Sequence, residues 1–168
     1  MTGPFPPGPG GGKEVDHGYK GKGSLLHLVT DKEGTPLWIT TTSAKGNERI
    51  QALALLDQLQ LIQCKNTNGM TICEADKGYD SAELRMEMLP RGYLPIIGYR
   101  KNQKNRVRTE EIYTCFGALK KRWVVERSFS WLKRKCRRLL MRWERLPEVW
   151  NAFALLGLVF MWLQILLG

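Results

Sequence analysis

Two acidic residues in this 168-residue chain stand where carboxylate chemistry could be done. Asp76 lies in "EADKGYDS", residues 74–81, directly after the run "MTIC". Glu126 lies in "LKKRWVVERSFSWLKRKCRRLLMRWERL", residues 119–146, with eleven basic residues across 120–145 and no other acid before Glu144. Hard divalent cations want several oxygen ligands. Two carboxylates on different elements, one set among basic residues, suit metal-dependent cleavage of a phosphodiester. The metal polarises the phosphate and generates the nucleophile, while the basic side chains hold the backbone. Each residue also has a plainer reading. Asp76 could be an ordinary turn residue, and Glu126 could form an i,i+4 ion pair with Arg122 worth roughly 0.3 kcal/mol. Of the neighbouring acids, Glu74 falls inside the strand run and Asp80 at the start of the next helix, so both read as structural.

The elements that must position these residues follow from periodicity and breakers. "SLLHLVTD" (24–31) and "PLWITTTSA" (36–44) read as two strands joined by the turn "KEGT", a hairpin. Asn47 is placed to cap the helix "ERIQALALLDQLQLI". "NTNGM" breaks the chain. "MTICEA" is a short buried strand, and "SAELRMEML" is a helix capped by Ser81 and ended by "PRG". "YLPIIGYR" is a strand whose Pro95 favours an edge. Residues 101–110 are polar and basic and read as a mobile loop. The order predicts an α/β fold with a mixed sheet and a long helical C-terminal half. Sites in such sheets collect at the carboxyl ends of strands, and Asp76 holds that kind of position. Within 119–146, Val125, Phe129, Leu132, Cys136 and Leu139 recur at +4, +3, +4, +3 as one apolar stripe of a single amphipathic helix. Arg122, Glu126, Lys133 and Arg137 form a second stripe beside it. Residues 1–23, rich in Gly and Pro, are expected to be a flexible lead without regular structure.

Composition narrows the function. Lys and Arg number 26 against 16 acids, for a net charge of +10. Residues 100–145 hold 16 of those basic residues and four acids, a local +12 that leaves the remainder at −2. A basic block on a near-neutral domain points to a polyanion, nucleic acid first. A solvated basic face is the bland alternative. Cys64, Cys73, Cys115 and Cys136 make no CxxC pair and lie away from His17 and His27 in sequence, which argues against zinc and fits a reducing compartment. The chain starts without an apolar signal core. "VWNAFALLGLVFMWLQILLG" (149–168) is uncharged and just reaches membrane-spanning length. Asn151 and Gln164 interrupt it, and Val149, Phe153, Leu156, Phe160, Leu163 and Leu167 recur at 4-3-4-3-4. That spacing reads as the face of a helix lying on a core. A small membrane-anchored protein remains the alternative for this stretch.

"ADKGYDS", "LPRGYLPII", "KRWVVERSFSWLKRKCRRL" and "RWERL" resemble, in that order, the C-terminal half of bacterial insertion-sequence transposases of the DDE type. "HGYKGKGSLLHLVTDKEGTPL" and "TTTSAKGNERIQALALLD" extend the likeness upstream over nearly the whole chain. The resemblance implies a ribonuclease-H-like fold in which two Asp and one Glu bind Mg²⁺ (or Mn²⁺) and drive DNA strand cleavage and transfer. Asp76 matches the second Asp and Glu126 the catalytic Glu. Arg122 and Lys133 match the signature positions that contact DNA phosphates, with Lys121, Arg127 and Arg137 grouped beside them as DNA-binding residues. Leu119 stands where the family has Tyr, which leaves one DNA contact unaccounted for.

The larger departure is at the start. The strand ending in Asp-Gly that bears the family's first Asp has no counterpart, and Thr2 stands near that place. Asp16 and Asp31 read as structural or solvated and do not replace it. Residues 24–168 are then a partial catalytic domain lacking its first strand, with a sheet edge exposed, weak Mg²⁺ binding and little strand transfer alone. A decayed element or the second frame of a frameshifted one would both produce this. The expected partners are DNA and an intact transposase or upstream-frame product, in the cytoplasm at the nucleoid and without stable membrane association. A non-catalytic DNA-binding remnant is the competing reading.

Overall fold

The computed structural model describes residues 6–18, 21–46, 48–62, 69–99 and 123–168. Two compact units emerge: Asn47–Arg122, and a second made of Thr2–Gly46 with Trp123–Gly168.

The first unit runs α1 (Glu48–Ile62), β4 (Thr71–Ala75), a 3₁₀ turn (Lys77–Tyr79), α2 (Ala82–Met88) and β5 (Tyr93–Ile97). Ala52, Leu55, Leu56 and Leu59 repeat at helical spacing along α1 and are buried, as are Leu84 and Met88 of α2. The Ser81 hydroxyl accepts from Leu84 N at 3.4 Å and caps α2 as predicted. The Asn47 cap lies outside the described residues. β4 and β5 pair in parallel from Thr71↔Tyr93 to Ala75↔Ile97. Among the described residues β5 pairs with β4 alone, an edge setting of the kind that tolerates Pro95. The Arg91 guanidinium closes the unit, bonding Asp57 of α1 at 2.7 Å and Glu87 of α2 at 2.8 Å.

The second unit contains β1 (Asp16–Gly18), β2 (Gly21–Thr30), β3 (Pro36–Ser43), α3 (Trp123–Lys135), a 3₁₀ turn (Arg137–Leu140) and α4 (Pro147–Leu167). β1, β2 and β3 form an antiparallel sheet in that order. The chain is thus α/β with both strand senses. Instead of one mixed sheet, however, the strands described fall into an antiparallel sheet and a parallel pair, because β2 is flanked by β1 and β3 while β4 pairs with β5. Leu26 and Leu28 of β2 and Ile39 of β3 meet Phe129 and Leu132 of α3, Leu139, and Trp150, Ala154, Leu158 and Met161 of α4 in one core.

The Gly/Pro-rich lead is not without structure where it is described. Gly8 N donates to Lys22 O, Ser24 N to Pro6 O and Lys13 N to Arg145 O, and Arg142 N donates to Pro7 O. Gly12 has φ +110, and a Cβ there would lie 2.5 Å from Arg145 O. Glycine at that position is therefore what lets two backbones approach, not a mark of looseness.

The helix predicted by the stripe from Val125 to Leu139 also ends early, at Lys135. Lys133–Arg137 and Arg134–Arg138 would be like-charged i,i+4 pairs in a continuous helix. Breaking at Cys136 relieves them, turns Leu139 into the core and frees Arg142 to meet the lead.

Finally, the 4-3-4-3-4 stripe of α4 faces outward except at Phe153, which packs against the core. Val149, Leu156, Phe160, Leu163 and Leu167 are all exposed, and the inner face is Trp150, Ala154, Gly157, Leu158 and Met161. Gly157 allows the approach, since a Cβ there would sit 3.0 Å from Leu132 Cδ1. Asn151 explains itself too: its Oδ1 accepts from Thr41 N at 3.1 Å, and Trp162 Nε1 donates to Pro36 O at 2.8 Å. These two bonds satisfy the outer edge of β3. α4 is one helix long and apolar enough to cross a membrane, and its inner face belongs to the core just described.

His27, on the β2 face opposite Leu26 and Leu28, is 2% exposed. Its Nε2 shares a hydrogen bond with Thr42 Oγ1 at 2.7 Å. Burial pushes its pKa down from 6.5 to about 4. The unfolded chain therefore binds the proton more readily. The stability that neutral His27 contributes is complete above pH 6.5 and is lost as pH falls towards 4, by up to roughly 3 kcal/mol. Thermal melts at pH 7, 6 and 5 should show a progressive fall in midpoint, and His27→Asn should flatten it. An unchanged pH profile in that variant would refute the assignment.

Candidate functional site

Asp76 is positioned by the parallel pair. Cys73 and Ala75 of β4 are buried, and so are Ile96 and Ile97 of β5. Burial also pushes the Cys73 thiol up to about 11, so this cysteine acts as a small hydrophobe. The strand stops at Ala75, and Asp76 follows in extended conformation (φ −70, ψ 162) as the cap of the 3₁₀ turn. Its Oδ1 accepts from Lys77 N at 2.7 Å. A carboxylate has about four acceptor sites, so capping and ligation are compatible.

Asp80 has a different task. It is 3% exposed and receives Arg85 Nη2 at 3.1 Å. The same nitrogen donates to Ile97 O at 2.7 Å, and the guanidinium lies 4.3 Å from the Tyr99 ring centroid. Arg85 thus ties the turn that follows β4, through Asp80, to the carboxyl end of β5. Glu74 is half-buried within β4. Asp80 is thus tied into the fold by its ion pair.

Glu126 is exposed in the first turn of α3, where the helix dipole favours an acid. α3 is fixed by its opposite side. Ser128 Oγ donates to Gly34 O at 2.6 Å, and Arg127 Nη2 donates to Glu33 O at 2.5 Å. The turn it grips is shaped by Asp31, whose Oδ1 accepts from Glu33 N and Thr35 N at 3.0 and 2.8 Å. Gly34 has φ +95, and a Cβ would stand 2.8 Å from Val124. Asp31 is accordingly a turn residue. Asp16 accepts from Ser43 Oγ at 2.5 Å and pairs with Lys45 at 3.3 Å, and these partners hold its carboxyl below the usual range. Neither is placed as a metal ligand.

The basic residues divide by role. Lys133 follows Glu126 by two turns on α3, with exposed Arg134 beside it. Lys135, Arg137 and Arg145 are exposed as well, but Arg137 has left the helical stripe because α3 has ended. Arg127 is committed to the turn and stacks on Trp123 at 4.7 Å. Arg138 pairs with Glu144. Arg142 is fully buried. Arg122 and Lys121 lie outside the described residues, as does Leu119. Sequence spacing missed Arg134 and Lys135, which the run "KRK" does display. It could not single out Arg142, whose partners Lys13 and Ser24 are 129 and 118 residues away in the chain.

Asp76 belongs to the first unit and Glu126 to the second. Among the described residues no three His, Cys, Asp or Glu side chains cluster as a metal would require. Carboxylate oxygens such as those of Asp76 and Glu126 are the donor type that a hard cation takes.

Residues 4–162 match the family described as Transposase DDE domain. Over 138 residues the chain is 36% identical to a Burkholderia cepacia protein named "Putative transposase for insertion sequence element IS402", covering 80% of this chain and 60% of that protein. The chain thus spans about 60% of the length of the curated relative it matches. No solved structure matches. The matched span takes in the lead, both units and the carboxylates at the end of β4 and the start of α3, and on that basis the chain belongs to the family of DDE-domain transposases.

Proposed function

We propose that this chain binds DNA as a transposase domain of ribonuclease-H-like fold, with Asp76 and Glu126 as members of its metal-binding carboxylate set. The observation that supports this most is the placing of Glu126 on the solvent face of α3 beside Lys133 and Arg134, in a chain of this family. The order hairpin, helix, strand, helix, strand, with Asp76 at a strand's carboxyl end, supports the fold reading. Mg²⁺ or Mn²⁺, held by Asp76 and Glu126, would supply phosphate polarisation and an activated nucleophile for strand cleavage and transfer. The chain's own part is to present those oxygens and to hold the DNA backbone through Lys133, Arg134, Lys135, Arg137 and, from outside the described residues, Lys121 and Arg122.

Divalent-ion dependence of DNA binding tests this. Without metal, Glu126→Gln should bind DNA several-fold more tightly, since it removes a negative charge facing phosphates. Millimolar Mn²⁺ should raise the affinity of the wild-type chain and leave the variant unaffected. An equal Mn²⁺ response in both chains would sink the metal role of Glu126. A second reading is a DNA-binding protein without catalysis. An equal Mn²⁺ response would support it.

A further inference from the structure

We propose that the outward face of α4 is a pairing surface for a second copy of this chain, the two helices packing antiparallel. Val149, Phe153, Leu156, Phe160, Leu163 and Leu167 alternate four and three residues apart, which is the 3.5-residue repeat of a helix-pairing seam. Of this seam only Phe153 packs against the core: Val149 is 42% exposed, Leu156 62%, Phe160 44%, Leu163 46% and Leu167 83%. Val159 and Leu166 extend it and are exposed too. The inner face of α4 is separately filled by Trp150, Ala154, Leu158 and Met161. Beyond Glu148 the helix has no charge, so nothing on the face selects a charged partner.

A stable two-fold contact buries about 1,200 Å² or more in total, and Val149, Leu156, Val159, Phe160, Leu163, Leu166 and Leu167 are the exposed apolar side chains that would supply it. The seam is also self-complementary, because a 4-3-4-3-4 spacing reads the same in both directions, as a two-fold contact requires. Antiparallel alignment sets Val149 against Leu167, Phe153 against Leu163 and Leu156 against Phe160, so each ring meets a leucine. Parallel alignment would set ring against ring. Phe160 is already steadied by Trp131, with ring centroids 6.4 Å apart.

Charge decides in the same direction. Arg138 lies over Phe153 at 5.4 Å, and the basic run around it adjoins the start of α4. A parallel pair would bring two such clusters side by side. An antiparallel pair separates them by about 30 Å, the length of the helix, well beyond the screening distance of roughly 8 Å at physiological salt.

Sedimentation equilibrium of the full chain, without DNA and at high salt so that nucleic acid cannot bridge copies, is expected to give a dimer mass. Leu156→Glu with Leu163→Glu should weaken the dimer at least 100-fold. Phe160→Ala should weaken it less, and Leu61→Glu on α1 should leave it intact. A monomeric wild-type chain at tens of micromolar would overturn the proposal. So would a chain recovered only with detergent or phospholipid vesicles, which would assign the face to a bilayer. A double variant that stays dimeric with an unchanged far-UV spectrum would overturn it as well.

Discussion

Arg142→Ala is expected to cost about 3–5 kcal/mol of folding stability, a large part of the total for a domain of this size. The guanidinium is fully buried. Its Nε donates to Glu144 O at 3.0 Å, Nη1 to Ser24 Oγ at 2.6 Å, and Nη2 to Lys13 O at 2.6 Å. Burial pulls its pKa below the ordinary arginine value, yet an arginine remains charged at neutral pH. Alanine would leave two carbonyls and a hydroxyl without their donor, each worth about 1–3 kcal/mol when buried, and would open a cavity besides. Those hydrogen bonds hold residues 6–18 against 141–146, so the damage should be directional. Urea titration should show the lower stability, and trypsin should cut at Lys13 or Lys22 well before global unfolding. Arg142→Lys should recover less than half of the loss, since one ammonium cannot reproduce the planar fork. A penalty under 1 kcal/mol with an unchanged cleavage pattern would show that other contacts hold the lead.

DNA affinity should fall steeply with salt. If Lys121, Arg122, Lys133, Arg134, Lys135 and Arg137 each neutralise one phosphate, log K falls with log salt at a slope near −5.4, about 1,800-fold between 50 and 200 mM. Fluorescence anisotropy with duplexes of unrelated sequence would measure it. Arg134→Ala with Lys135→Ala should lower the slope by about 2 and weaken all sequences alike. Arg127→Ala should alter it little, because that guanidinium is engaged by Glu33 O and Trp123. A slope of 1 or less would mean that the basic run is only a solvated face. The two experiments are independent: Arg142 is counted in the +12 of residues 100–145 but is buried away from any DNA, so formal charge overstates the binding surface.

Much of the site could be read locally, because its determinants are local. Asp31 shapes its turn through N–H groups two and four residues on. Ser81 caps α2 three residues ahead, and Asp76 caps its turn one residue ahead. Alternation and breakers marked β2, β3, β4, β5, α1 and α2 nearly to their bounds. The buried Asp80–Arg85 pair needs five residues of chain.

What the sequence alone determined about this protein is therefore its family, its local elements and the carboxylate at the end of β4, all set by neighbours a few residues apart or by ordered motifs. Tertiary structure decided three other things. It chose which face of α4 is inside, because a helix apolar all round has no polar face to mark the outside; small Ala154 and Gly157 allow the close approach to Leu132 and Leu139. It ended α3 at Lys135, where like charges oppose the helix and the core claims Leu139. It also made the Gly/Pro-rich lead an ordered strap, because the lead's partners, Arg142 and Arg145, lie more than 120 residues further along the chain. No pattern in a short window can register a contact of that range.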